Sequence, residues 1–172
     1  GMVSGNNTGK TTLAECFLYN SQTIDRMGKI ENKNTTSDFS PLETKRGFSI
    51  SSSILNYQWK SHFINFIDCP GYLDFIGQTL EAIQVIDGAL LLFDPKASLQ
   101  AVTEKIIEEL NKKNTSVFCV LNKMDQENID YFKAIENIKR NFSVPLVPFT
   151  IPIGEGEKFN GIVDILKKTA FT

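Results

Sequence analysis

A three-layer α/β fold, with a mixed and mostly parallel sheet covered by helices on both faces, is what this sequence predicts. Three observations lead there. Apolar strand-like runs alternate with amphipathic helical stretches over residues 1–143, the pattern of a sheet buried between helices. A glycine-containing loop at residues 4–9 joins the end of the first apolar run to the first helix. Two further polar clusters, at residues 68–71 and 122–125, sit at the carboxyl ends of apolar runs, where open α/β sheets place their ligands.

The elements follow in order. Gly1-Met2-Val3 reads as the tail of a strand. The loop at residues 4–9 feeds a helix over residues 10–19, with Leu13, Phe17 and Leu18 on its apolar side. Residues 31–47, rich in Asn, Thr, Ser and charge and holding Pro41, are the most linker-like stretch. Two β-rich segments, residues 49–59 and 62–68, are separated only by Lys60-Ser61 and so predict a hairpin. The nearly unbroken apolar run Phe63-Ile64-Asn65-Phe66-Ile67 predicts a strand covered on both faces. A helix over residues 73–86 leads to the strand at residues 89–93, which ends at Asp94-Pro95. Ser98 reads as the N-cap of the next helix, with Leu99, Val102, Ile106 and Leu110 on one face. The strand at residues 117–121 is followed by a helix carrying Ile129, Phe132, Ile135 and Ile138. From residue 144 the character changes. Pro145, Pro148, Pro152 and the turn Gly154-Glu155-Gly156 separate short β-like pieces, so residues 144–172 read as an added subdomain.

Composition narrows the class. The 172 residues suit one domain with a sizeable core; 41% are hydrophobic and 22% charged, as in ordinary globular proteins. A net charge of −2 argues against a free-standing nucleic-acid binder, so no free DNA binding is expected. Cys16, Cys69 and Cys119 are scattered without metal-ligand or redox spacing, which fits a reducing, cytoplasmic setting. No apolar run reaches membrane-spanning length. A monomer is the expected state.

The chemistry lies in three clusters. Ser4-Gly5-Asn6-Asn7-Thr8-Gly9-Lys10-Thr11 has the spacing of a phosphate-binding P-loop, with Ser in place of Gly at the first position, and Thr12 follows it. Gly9 lets the backbone turn so that successive N–H groups face phosphate oxygens, beside the positive end of the helix dipole. Lys10 supplies a point charge for the β- and γ-phosphates, and the Thr11 hydroxyl can join the shell of a Mg²⁺ ion. Asp68-Cys69-Pro70-Gly71 ends an apolar strand. A carboxylate there can hold Mg²⁺ through water, and Gly71 can offer its N–H to the γ-phosphate. Turn chemistry alone also accounts for Asp-x-Pro-Gly; its place between the other clusters favours the metal role. Asn122-Lys123-Met124-Asp125 follows the apolar run at residues 117–121. Asp125 can accept both the ring N–H and the exocyclic amine of guanine, which adenine cannot supply as a pair. Lys123 can lie over the base, and Asn122 can tie this loop to the phosphate end. In this order the three clusters predict a Mg²⁺-dependent domain that binds GTP and GDP.

With these residues in place, the chain resembles the G domain of translational GTPases, a Ras-like P-loop fold, and most closely elongation factor G and its relatives. The resemblance runs through Gly9-Lys10-Thr11-Thr12-Leu13, Arg46-Gly47-Phe48-Ser49-Ile50, Asp68-Cys69-Pro70-Gly71 and Asn122-Lys123-Met124-Asp125. Pro152-Ile153-Gly154 and Phe159-Asn160-Gly161-Ile162-Val163-Asp164 resemble the start of the insertion subdomain of that group. Tetracycline ribosomal-protection proteins share much of the pattern, including Leu18-Tyr19-Asn20, and stay open as an alternative.

The resemblance implies a ribosome-stimulated conversion of GTP to GDP and phosphate. It implies that residues 46–50 form a switch around Mg²⁺, with Ser49 at the family's usual Thr and therefore a metal ligand beside Thr11 and Asp68. Serine keeps the hydroxyl but loses the methyl that restricts its rotamer. It also implies that Tyr72 stands where most members have a His that positions the attacking water. A phenol can hydrogen-bond a water but brings no positive charge, so this departure touches catalysis, shared with Lys10, more than binding. A GTP-sensing module that hydrolyses little is the rival reading. The chain is further expected to lack the start of the first strand and the last guanine loop, and to bind nucleotide more weakly than a parent that has them. His62 has no metal-spaced partner and reads as a hairpin residue, and Lys112-Lys113 as a solvated helix end favoured by the dipole.

Overall fold

The computed structural model describes residues 1–172. Its strands are β1 (Met2–Val3), β2 (Ser53–Trp59), β3 (His62–Asp68), β4 (Gly88–Phe93), β5 (Ser116–Leu121), β6 (Thr150–Ile153), β7 (Gly161–Asp164) and β8 (Thr169–Phe171). Its α-helices are α1 (Lys10–Asn20), α2 (Pro41–Arg46), α3 (Ile76–Val85), α4 (Ala101–Lys113) and α5 (Tyr131–Lys139). The main sheet runs β2-β3-β1-β4-β5, parallel except for the β2–β3 hairpin. None of the helices is long and apolar enough to cross a membrane.

Strand periodicity explains the layers, because successive side chains point to opposite faces. Val3 and Leu91 enter one core with Ile83 of α3 and Ile106 and Leu110 of α4. Their neighbours Met2 and Leu92 enter the other, with Ala14 and Leu18 of α1. β1 is fully buried in the middle of the sheet, so the loop that leaves it emerges at the carboxyl edge between β3 and β4.

Several elements differ from the sequence reading, each for a physical reason. The first hairpin strand begins at Ser53, not residue 49, because the backbone N–H groups of Ile50 and Ser51 donate to Glu43 Oε1 at 2.9 and 3.0 Å. The linker-like stretch holds α2, started by a capping box between Ser40 and Glu43 with Pro41 behind it and closed by Gly47 at φ 74°. The helix expected over residues 73–86 opens as a 3₁₀ turn at Leu73–Phe75 before α3. Ser98 is not an N-cap: α4 starts at Ala101, and Leu99 packs on the core from the preceding loop. In β3 only the end towards Asp68 is covered; Phe63, near the hairpin turn, is exposed. α5 is capped by Asp130, whose carboxylate accepts from Lys133 N at 2.9 Å, so Ile129 precedes the helix and Phe132 faces outward. Lys113 is exposed, as expected of that helix end, but its ammonium is spent on the Ile83 and Ile86 carbonyls at the end of α3 rather than left to solvent alone. Lys112 is exposed and pairs with Glu108 at 2.8 Å.

The last residues form a separate antiparallel sheet, β6-β7-β8. It is tied to the rest by Gly156 N donating to Met124 O at 3.1 Å and Tyr131 Oη donating to Thr150 O at 3.1 Å. Met124, Ile129 and Tyr131 form a small core against which Phe159 packs.

Candidate nucleotide-binding site

The loop from Ser4 to Gly9 closes on itself. The buried Ser4 and Thr8 hydroxyls are hydrogen-bonded, and Thr8 Oγ1 also donates to Gly5 O at 3.2 Å. Serine at the first position is thus accommodated, its hydroxyl satisfied within the loop. Asn7 adopts φ 57° and Gly9 φ 93°. A Cβ on Gly9 would fall 2.3 Å from Asn122 Nδ2, so this position needs glycine for both backbone and space. The outside of the loop is braced by α4: Gly5 N donates to Thr103 Oγ1 at 3.1 Å and Asn6 N to Gln100 Oε1 at 3.2 Å.

Lys10 and Thr11 begin α1, and both are buried. The Lys10 ammonium donates to Gly5 O at 2.8 Å and to Ser4 O and Ser4 Oγ at 3.3 Å. Burial pushes it down to about 8, against the pull of Asp68 and other nearby acids. Thr12, one residue on, is exposed.

Asp68 ends β3 beside this helix start. Its Oδ2 accepts from Thr11 Oγ1 at 3.1 Å, while Oδ1 is buried without a hydrogen-bond partner. Burial raises its carboxyl to about 6, with Lys10 and the Thr11 and Ser37 hydroxyls pulling the other way. An unpartnered carboxylate oxygen next to a hydroxyl is the donor set a hard cation takes. No group of three or more His, Cys, Asp or Glu converges on a point, so such a cation would complete its shell from hydroxyls, water and phosphate. Gly71 lies against the phosphate loop, where a Cβ would meet Lys10 Nζ at 2.6 Å and Asn6 N at 2.7 Å.

Ser49 is not hydrogen-bonded to Thr11 or Asp68. Its hydroxyl donates to Asp38 Oδ1 at 2.6 Å, and Asp38, raised by burial, senses Glu43 and Glu15 as like charges. Tyr72 stacks on Phe48, which also lies 6.4 Å from Phe75, centroid to centroid.

The Asn122–Asp125 loop meets the phosphate loop directly. Asn122 Nδ2 donates to Thr8 O at 2.9 Å. Lys123, at φ 58°, donates from Nζ to Asn7 O and to Asp94 Oδ2, the latter at 3.0 Å. Asp125 is exposed at the surface. Ser4 to Thr11, Asp68, Gly71, Asn122 and Lys123 are therefore brought to one edge of the sheet. The sequence reading missed Asp38, Glu43, Asp94, Gln100 and Thr103. Only Asp94 left a signal, as a carboxylate at the end of the strand beside β5.

The elongation factor Tu GTP binding domain family matches residues 1–171. The chain is 36% identical over 167 residues to elongation factor G 2 of Borreliella afzelii, covering 96% of this chain and 25% of that protein. It is 33% identical over 168 residues to the mitochondrial ribosome-releasing factor 2 of Pongo abelii, covering 98% of this chain and 22% of that one. A crystal structure from Thermus thermophilus superposes with a TM-score of 0.91 at 28% identity, over 98% of this chain and 25% of that chain. The chain thus spans about a quarter of the length of these relatives.

Proposed function

The chain belongs to the elongation factor Tu GTP-binding domain family, and on that premise we propose that it binds and hydrolyses GTP as part of an elongation factor G-like translation factor on the ribosome. The observation that carries this reading is the double tie between the two loops, Asn122 to Thr8 and Lys123 to Asn7. It holds a base-reading carboxylate, Asp125, at a fixed reach from a phosphate cradle.

In this reading the loop N–H groups and Lys10 take the phosphates, with Gly71 N–H facing the γ-phosphate. Lys10 must leave the Ser4 and Gly5 carbonyls, which exchanges hydrogen bonds to neutral oxygens for ion-paired ones to charged phosphate oxygens. Thr11 and Asp68 would hold Mg²⁺, with Ser49 joining once it releases Asp38. The ion supplies charge neutralisation at the phosphate oxygens. Asp125 selects guanine over adenine. Tyr72 would stand where the residue that positions the attacking water belongs, able to orient that water without adding charge, so we expect weakened hydrolysis. The contact with Phe48 favours a second reading, in which the aromatic ring stays clamped and the domain senses GTP without cleaving it.

Single-turnover GTP hydrolysis with and without ribosomes, on the parent sequence and on Tyr72→His, separates the two. Acceleration of the parent by ribosomes supports the enzyme. If ribosomes leave the parent slow and His restores cleavage, the natural sequence is a sensor. The guanine assignment is tested by competition: ATP that displaces GDP as well as GTP does would sink it, and Asp125→Asn should shift preference towards xanthosine nucleotide.

A further inference from the structure

Asp94 lies outside every motif of the sequence reading, yet its carboxylate is held on both sides. Oδ1 accepts from Lys96 N at 3.0 Å, which fixes the carboxylate in the turn after β4. Oδ2 faces Lys123 Nζ at 3.0 Å, with the side chains 15% and 30% exposed. β4 and β5 are neighbours and run parallel, and Asn122 N donates to Phe93 O at 2.9 Å, so the turn and the base-reading loop leave the sheet side by side.

Resting on the guanine-nucleotide reading above, we propose that Asp94 is a positioning residue: its carboxylate holds Lys123 over the phosphate loop so that the lysine stem is already in place when the base arrives. Lysine has a long, freely rotating stem, and ordering it at the moment of binding opposes affinity. Lys123 reaches the Asn7 carbonyl, a neutral acceptor, at an exposed position. The half-buried ion pair is the stronger of its two anchors. Asp94 touches neither phosphate nor base in this arrangement; it acts through Lys123.

The test is a double-mutant cycle on GDP binding, read with a fluorescent GDP, using Asp94→Asn and Lys123→Met singly and together. Asparagine keeps an acceptor for Lys96 N, so the turn is retained while the charge is lost. The expected result is about three- to tenfold weaker binding for Asp94→Asn, with little further loss when it is added to Lys123→Met. Raising the salt concentration should narrow the gap between parent and Asp94→Asn. Parent-like affinity for Asp94→Asn overturns the proposal. So does a loss of the same size in the Lys123→Met background, which would place the effect in the fold rather than in the lysine. Asp94→Glu, which restores the charge, is a second variant and should recover part of the affinity; a Glu variant as weak as Asn counts against the ion pair. Failure of the parent to bind GDP overturns both this proposal and the reading beneath it.

Discussion

The ring of Tyr72 rests against the ring of Phe48, with centroids 4.6 Å apart and planes tilted by 46°. Phe48 is flanked by Ser49, and Tyr72 by Gly71, so this single contact joins the segment before β2 to the segment after β3. Arg46 lies over the Phe48 ring, with its guanidinium carbon 6.0 Å from the centroid. One segment carries Ser49, proposed to reach Mg²⁺, and the other Gly71, proposed to face the γ-phosphate, and this aromatic pair helps fix their relative position.

Phe48→Ala should therefore cost about 1 kcal/mol from the lost aromatic pair. For a domain of this size that is a fall of about 2–4 °C in unfolding midpoint. Near-ultraviolet circular dichroism should show Tyr72 losing its fixed environment. An unchanged tyrosine signal would show that other contacts hold the ring.

Asp68 gives a pH dependence whose sign can be worked out. Its folded carboxyl is raised to about 6, above the unfolded value of about 3.9. Between those values the folded state binds more protons, so the contribution to stability is complete below the unfolded value and is lost as pH rises through about 6. Lys10, lowered to about 8, stays protonated in both states across that window and does not confuse it. Nucleotide-free Asp68→Asn should melt a few degrees above the parent at pH 7, with the gap closing towards pH 4. A thermal melt series across that range checks both halves. A gap that widens on acidification contradicts the sign.

Two glycines of the phosphate loop should respond differently to alanine. At Gly5 a Cβ meets the end of the Gln100 side chain at 2.2 Å, and that amide can swing away. The cost is the Asn6 N–Gln100 bond, about 1 kcal/mol. At Gly9 the backbone sits at φ 93° and a Cβ meets Asn122 Nδ2 at 2.3 Å, so both the turn and the tie between loops are disturbed. Gly9→Ala should abolish measurable GDP binding, while Gly5→Ala weakens it about tenfold or less. Titration of both variants decides it, and equal effects would remove the distinction.

The pattern of what could be read from sequence follows from the range of the interactions. The loop at residues 4–11, the Asp68 turn and the Asn122–Asp125 loop were legible because each is a local spacing at a strand end. The strands at residues 1–3 and 89–93 were legible as apolar runs, while the split of Met2 and Leu92 from Val3 and Leu91 into two cores came only with the structure. What escaped is side-chain bonding to groups that the local spacing does not bring together. Glu43 takes the Ile50 and Ser51 amides, which shortens β2. Gln100, not Ser98, stands at the start of α4 with its amide spent on Asn6. Asp94 meets Lys123 only because β4 and β5 are adjacent in the sheet.

Glu15 provides the sharpest test of such bonding. It lies on α1, 1% exposed, and its carboxylate accepts from Gly28 N at 2.7 Å and from Thr36 N at 2.5 Å. One buried side chain thus holds the two ends of a polar excursion that leads into α2 and on to Ser49. Glu15→Ala leaves both amides without an acceptor and should cost about 2–4 kcal/mol. Glu15→Gln offers one oxygen and one N–H₂, so one amide stays paired while the other faces a donor, and the loss should be smaller. Hydrogen exchange separates this from a general loss of packing. In Glu15→Ala the Gly28 and Thr36 amides should exchange faster than the amides of β4, which is paired on both sides, with β1 and β5. If all of them accelerate together, Glu15 supports the whole domain. If neither Gly28 nor Thr36 accelerates, the excursion is held by its own turns.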